Sequence, residues 1–122
     1  MVTRTREILS DRRVRLEVRI IDEDKIKEFI TRRRKQIMIH SIIYYRMSDS
    51  IISDQTWNEW ARELYDVQKR YPDIASRCFL SDEFRDFDPC SGYYLPLEEP
   101  WAVEKAQQLL KWGELYGIRN EV

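Results

Sequence analysis

The stretch from Ile43 to Ile74 holds the side chains whose types and spacing best suit chemistry, in the sequence IYYRMSDSIISDQTWNEWARELYDVQKRYPDI. Aromatic and acidic residues crowd the junction between two predicted helices. Catalysis by a nucleophile and a base is disfavoured, because the chain has one histidine, His40, and no credible Ser–His–Asp or His–Cys arrangement. The stretch therefore predicts a binding site with no catalytic residues.

Two helices must position these side chains. Ser53 is a suitable N-cap, so a helix is predicted from Asp54 to Arg70, and Pro72 should end it. The apolar stripe of this helix has helical spacing and consists of Trp57, Trp60, Ala61, Leu64, Val67 and Tyr71. With a first helix predicted from about 24 to 47, the pair forms an αα-hairpin. The same aromatic stripe is also typical of a hairpin core, so a purely structural role is the alternative.

Length and composition predict a single, mainly α domain over residues 1–122, because 3 Gly and 4 Pro are too few for a β protein with many turns. The expected segments are an N-terminal arm or short β-strand (1–21), the helical hairpin (22–72), an irregular acidic and aromatic segment (73–99) and a C-terminal helix (100–117). The aromatic residues expected to attach the irregular segment to the hairpin are Phe79, Phe84, Phe87, Tyr93 and Tyr94.

The ends of the predicted elements have their own signals. Alternation of apolar and charged residues over 14–21, VRLEVRII, predicts a half-buried strand, with an early helix turn as the alternative. Three acids, Asp22 to Asp24, suit the start of the first helix. Pro100 suits the first position of the last helix, and Gly117 suits its C-cap.

Charge divides the chain in two. Residues 1–46 hold 13 Lys and Arg against 7 Asp and Glu, whereas residues 47–122 hold 8 against 15. The basic run from Arg32 to Lys35 could contact phosphate, or it could be a solvated face or a partner for the acidic half. The sequence pI of about 5.9 disfavours a large nucleic-acid footprint.

The remaining composition points to the cytoplasm. No run of apolar residues is long enough to span a membrane, and the first residues lack the apolar region of a secretory signal. Cys78 and Cys90 are expected to be reduced thiols, since neither lies in a CxxC motif. With one histidine they do not make a typical zinc site, so no metal is expected.

The hairpin resembles the N-terminal helical subdomain, domain Ia, of bacterial NAD-dependent DNA ligases. The matching residues are Tyr44, Tyr45, Met47, Ile52, Ser53, Asp54, Arg62, Glu63, Leu64, Pro72 and Asp73. The chain is also similar to short ligase-related proteins of phages, which would place it in the host cytoplasm. In the ligase family this subdomain captures the nicotinamide mononucleotide (NMN) half of NAD.

The resemblance implies Tyr44, Tyr45, Asp54, Trp57 and Asn58 as cofactor-binding residues. Aromatic faces and a carboxylate suit a cationic pyridinium ring. Two of these positions depart from the family, because Trp57-Asn58 replaces its Tyr-Asp. The KxDG motif of the ligases is absent from this sequence, and without its lysine no adenylyl-enzyme can form.

Two functions remain open after this comparison of motifs. One is a non-catalytic module that binds NMN or NAD, although no cofactor is certain. The other is a phage-encoded inhibitor or adaptor whose nucleotide site has decayed and whose acidic half binds a host replication or defence protein. A second copy of the chain is another candidate partner, through an exposed strand edge, whereas a nucleic-acid partner is disfavoured and no membrane is expected.

Overall fold

The computed structural model describes the backbone of residues 12–116 and the side chains of residues 22–114. It contains four helices in this range: α1 (Arg12–Arg46), α2 (Asp54–Arg70), the single turn α3 (Pro72–Ala75) and α4 (Pro100–Tyr116). Strands are absent from residues 12–116. The predicted mainly α fold and the αα-hairpin of α1 and α2 are therefore confirmed.

The predicted N-terminal strand is wrong. Residues 12–21 continue α1, so the three acids Asp22 to Asp24 lie inside the helix and do not begin it. A strand needs a neighbour for its backbone hydrogen bonds, and no other strand lies within the part of the chain described. Arg, Leu and Glu are good helix formers, so the segment extends the helix that follows it. Residues 1–11 and the predicted C-cap Gly117 lie outside the described residues.

Helix α1 is the centre of the fold, since α2 and α4 both pack against it. Its isoleucines at 30, 37, 42 and 43 and Met38 are completely buried. The partner helices contribute small buried residues, Ala61 from α2 and both Ala102 and Ala106 from α4. These short side chains let α2 and α4 lie close to α1, which explains the apolar end of α1 in the sequence.

Part of the basic run from Arg32 to Lys35 stabilises the fold through internal contacts. Arg34 is 2% exposed, and its guanidinium donates hydrogen bonds to the carbonyl oxygens of Ala75 at 3.0 Å, Cys78 at 3.3 Å and Phe79 at 2.9 Å. It also donates to Gln68 Oε1 on α2 at 2.8 Å. One side chain of α1 thus holds both α2 and the turn that follows α3.

Arg33, the neighbour of Arg34, is also buried. Its guanidinium donates to Glu63 Oε1 at 2.6 Å and lies over the rings of Phe29 and Trp60. Two of the four basic residues therefore contact the protein itself, which removes them from any phosphate-binding surface. Arg32 and Lys35 remain exposed, and Arg32 pairs with Glu28 one turn earlier.

Residues 76–99 form turns whose contacts extend along the hairpin, from Arg34 and Gln68 to Tyr45 near the α1–α2 connection. Their buried side chains are Cys78, Leu80, Phe84, Phe87, Leu95 and Leu97. The prediction that aromatic residues attach this segment is confirmed for Phe84 and Phe87. Phe79 and Tyr93 are about half exposed but also contact α1, since the Phe79 ring lies 5.6 Å from Lys35 Nζ and the Tyr93 ring lies 5.5 Å from that of Tyr45. The prediction is wrong for Tyr94, which is 89% exposed and whose ring contacts that of Tyr93. None of the described helices is long and apolar enough to cross a membrane.

Candidate functional site

The connection between α1 and α2 is built from local hydrogen bonds. Ser48 takes a left-handed conformation with φ of 54°, which turns the chain out of α1. Ser53 caps α2, as predicted, because its Oγ accepts a hydrogen bond from the backbone N–H of Thr56 at 3.0 Å. Asp54 therefore occupies the first position of α2, where the helix dipole favours a carboxylate.

A cavity of about 210 Å³ lies where the end of α1 meets the start of α2. All five residues implied by the ligase resemblance line it, so the fold brings the predicted set together. The remaining lining residues are His40, Ser41, Ser50, Ile51, Ile52, Ser53 and Cys90. Asp54, Asn58 and Tyr44 are exposed at this cavity, whereas Trp57 and Tyr45 are half-buried.

Trp57 is fixed by a contact to α1. Its Nε1–H donates to Ser41 Oγ at 3.3 Å, and Ser41 is 1% exposed. Gly92 packs on the same pair: a Cβ added to Gly92 would lie 2.3 Å from Ser41 Oγ and 3.0 Å from the Trp57 ring. The chain around Gly92 therefore approaches the hairpin by its backbone, at a place where a side chain does not fit.

The segment from Asp88 to Tyr94, called here the covering segment, contacts the hairpin beside the cavity and contributes one lining residue. Cys90 lines the cavity, and its backbone N–H donates to Asp88 Oδ1 at 2.8 Å. Ser91 Oγ lies 3.4 Å from the hydroxyl of Tyr45. These contacts connect the covering segment to the predicted site, although it lies many residues after the hairpin in the sequence.

Four tyrosines form a continuous row beside the cavity. Neighbouring rings in the order Tyr44, Tyr45, Tyr93 and Tyr94 lie 4.9, 5.5 and 5.3 Å apart between centroids, each pair edge to face. Such pairs are favourable for aromatic rings. The row begins at the cavity and ends at Tyr94, which is 89% exposed.

His40 is a lining residue that the predicted set lacked. Burial lowers the pKa of His40 to about 4, so the imidazole is neutral at neutral pH. Its buried Nδ1 has no hydrogen-bond partner among the described residues, and its ring meets Trp60 edge to face at 5.6 Å. The sequence held a signal for this position, because His40 precedes Tyr44 by one helical turn. No comparable signal indicated Cys90 or Gly92.

Comparisons with curated proteins relate this chain to DNA ligases. It is 34% identical to a DNA ligase of Thermosipho africanus over 56 residues, which are 46% of this chain and 8% of that ligase. It is 38% identical to a DNA ligase of Pseudothermotoga lettingae over 56 residues, again 46% of this chain and 8% of the ligase. A DNA ligase of Sulfurihydrogenibium azorense is 30% identical over 76 residues, 62% of this chain and 10% of that protein.

The resemblance to DNA ligases is thus confirmed over about half of the chain. The chain spans only about a tenth of the length of these relatives, so it is not a full-length ligase. No family model and no solved structure matches it. The paired α1 and α2 are called the ligase-like hairpin below.

Proposed function

We propose that this chain is a non-catalytic module whose ligase-like hairpin binds the nicotinamide half of NAD, either in NAD or as NMN. One observation carries the proposal: Tyr44, Tyr45, Asp54, Trp57 and Asn58 line a single cavity. These are the positions that the resemblance to the ligase subdomain implies. They come from two helices and the connection between them, and the cap at Ser53 sets the start of the second.

The chemistry of the wall supports this ligand. Nicotinamide in NMN and NAD is a cationic pyridinium, which is attracted to aromatic faces and to a nearby carboxylate. Trp57 is the best such ring, and its Nε1–H is held by Ser41, which fixes the indole. Asn58 supplies an amide where the family has a carboxylate, so Asp54 provides the negative charge of the site.

The absence of catalysis is part of the proposal. The sequence contains no KxDG motif, and the cavity holds no nucleophile paired with a base among its described residues. His40 is neutral and half-buried, and its ring contacts Trp60. We therefore expect binding without turnover, and purified protein should leave NAD unchanged on prolonged incubation.

Calorimetric titration of the full chain with NMN, NAD and AMP tests this function. We expect micromolar binding of NMN and NAD, weakened by Asp54→Ala, and no heat with AMP. Folded protein that gives no heat with NMN or NAD would contradict the proposal. Thiol labelling gives a second readout, because Cys90 is exposed at the cavity whereas Cys78 is buried. Bound NMN should slow the labelling of Cys90 alone.

Binding of a protein partner is a second candidate, favoured by the exposed surface of residues 79–94. Tyr93 and Tyr94 expose aromatic rings there, next to a cluster of exposed acids, Asp82, Glu83, Asp86 and Asp88. A phage-encoded inhibitor or adaptor acting on a basic host protein would use such a surface, and its affinity would fall steeply with salt. Sedimentation at several protein concentrations distinguishes a second copy of the chain from a different partner.

A further inference from the structure

We infer that the cavity recognises the positive charge of the pyridinium ring and makes no contact to phosphate, so that its ligand class is the nicotinamide riboside moiety. The inference rests on the proposed function and narrows it. It predicts that the phosphate of NMN, and the whole adenylate half of NAD, add nothing to binding by this chain.

The charges of the lining residues carry this inference. Of the twelve residues described as lining the cavity, Asp54 is the only acid, and none is Lys or Arg. The others present hydroxyl, aromatic, aliphatic, amide, imidazole and thiol groups. A phosphate group brought into such a wall would lose water without gaining a cation, which is costly. Asp54 would also repel it.

Neither the basic run nor Arg46 lines the cavity. Arg33 and Arg34 bind Glu63 and backbone carbonyls in the interior of the fold. Arg46 follows Tyr45 directly, but it lines a different groove, and its Nη2 lies 3.8 Å from Glu98 Oε2. Arg32 and Lys35 line another groove, and Arg32 pairs with Glu28. The basic run therefore does not supply a phosphate contact in this cavity.

Asp54 and Trp57 are the residues that would attract the pyridinium ring. Asp54 lies at the first position of α2 on the exposed side of the cavity, with Trp57 one turn further along the same helix. A flat cation bound in the cavity would therefore have an aromatic ring and a carboxylate available as partners. The ribose hydroxyls would meet polar lining groups such as Ser50, Ser53 and Asn58.

Three ligands test the inference by calorimetry on the full chain. Nicotinamide riboside carries the ring charge without phosphate, NMN adds the phosphate, and benzamide riboside has the same shape without the ring charge. We expect the riboside to bind at least as tightly as NMN, and about tenfold more tightly than benzamide riboside. Asp54→Asn should remove the preference for the charged ring.

The matched control is Asp66→Asn, which neutralises an exposed carboxylate on the same helix but outside the cavity. This variant should keep the tenfold preference. Salt gives a readout that needs no variant: riboside affinity should fall as ionic strength rises, whereas benzamide riboside affinity should not.

The outcomes separate the inference from the proposed function. Binding of NMN more than about tenfold tighter than the riboside would reveal a phosphate contact, overturning the inference while supporting the function. Equal affinity for the charged and uncharged ribosides would overturn it as well. If neither riboside nor NMN nor NAD binds to folded protein, both the function and the inference fail.

Discussion

At the scale of single residues, Trp57 connects the two sides of the candidate site. Its ring forms part of the cavity wall, while its Nε1–H donates to Ser41 on α1. Ser41 Oγ is also the atom that a Cβ added to Gly92 would approach most closely. A tryptophan on an apolar helical stripe therefore serves the core and the cavity together, and the two interpretations of the aromatic stripe are compatible.

Substitution of Trp57 separates these contributions. Trp57→Phe keeps an aromatic face and loses the hydrogen bond to Ser41, so we expect a loss of about 1 kcal/mol in the free energy of unfolding and retained NMN binding. Trp57→Ala should weaken NMN binding by about tenfold or more, because the stacking face is gone. Urea unfolding and calorimetry measure the two effects. Unchanged binding by the alanine variant would contradict the assigned role.

Gly92→Ala tests how the covering segment is seated. The added methyl would overlap Ser41 Oγ, so the segment must shift, and we expect destabilisation of about 1–3 kcal/mol. Labelling of Cys90 should become faster as the wall loosens. The double variant Gly92→Ala, Ser41→Ala removes the colliding oxygen and should recover part of the stability. Equal stability of the single and double variants would show that a contact other than Ser41 Oγ causes the destabilisation.

His40 predicts a dependence of stability on pH. Its pKa is about 4 in the folded protein because of burial, against the ordinary value of 6.5 in the unfolded chain. The unfolded state binds the extra proton between these values, so stability falls as pH decreases from about 6.5 towards 4. Between pH 7 and 5 we expect a loss of about 2 kcal/mol.

Urea unfolding at several pH values checks this dependence. His40 is the only histidine of the chain, so no other histidine titrates in the same window. His40→Gln should flatten the pH profile between 7 and 5. A profile that is already flat in the original sequence would mean that the imidazole is more accessible to water than its burial indicates.

At the scale of elements, the hairpin shows what local sequence can predict. Helix α2 has the predicted bounds because a capping serine and a following proline mark its ends within a few residues. The start of α1 was missed since charged and apolar residues happen to alternate over 14–21, a pattern that short helices and strands share. Likewise the contacts of Gly92 and Cys90 depend on a long return of the chain, for which no local pattern exists.

Arg34 is the side chain that ties three elements together, and its replacement should show this. Arg34→Lys keeps the charge but cannot form the same set of hydrogen bonds to Ala75, Cys78 and Phe79. We expect a loss of about 3 kcal/mol in the free energy of unfolding, since buried carbonyl groups lose their donors.

Arg32→Lys is the matched control for this prediction. Arg32 belongs to the same basic run, is exposed and pairs with Glu28, so its replacement should change stability by less than about 0.5 kcal/mol. Equal effects of the two substitutions in denaturant titrations would mean that the internal contacts of Arg34 contribute little.

At the scale of the whole molecule, the ligase-like hairpin does not stand alone. Helices α2 and α4 both pack on α1, and the turns over 76–99 add buried side chains to the core. The sequence predicted α2, the irregular segment after it and the start of α4 at Pro100, because capping and proline signals mark these helix ends. It could not predict that the later half of the chain would contribute Cys90 to the cavity lining.

The two thiols report on the stability of this whole arrangement. Cys78 is 9% exposed, and its Sγ lies 3.3 Å from the carbonyl oxygen of Ile74, whereas Cys90 is exposed. Native protein should therefore label quickly at one thiol, and the second should react only as the molecule opens. Mass spectrometry after brief labelling distinguishes one adduct from two. Rapid double labelling of native protein would contradict the described packing.

The close contact of Gly92 with Ser41 has a consequence for protein engineering. A hairpin that packs against backbone from elsewhere in its chain cannot be transferred by itself to another protein without losing that contact. Grafted alone into another scaffold, it would leave the indole side of its cavity open to water. A donor hairpin placed into this chain would need a residue no larger than serine at position 41, so compatibility between the two halves restricts which recombinants can fold.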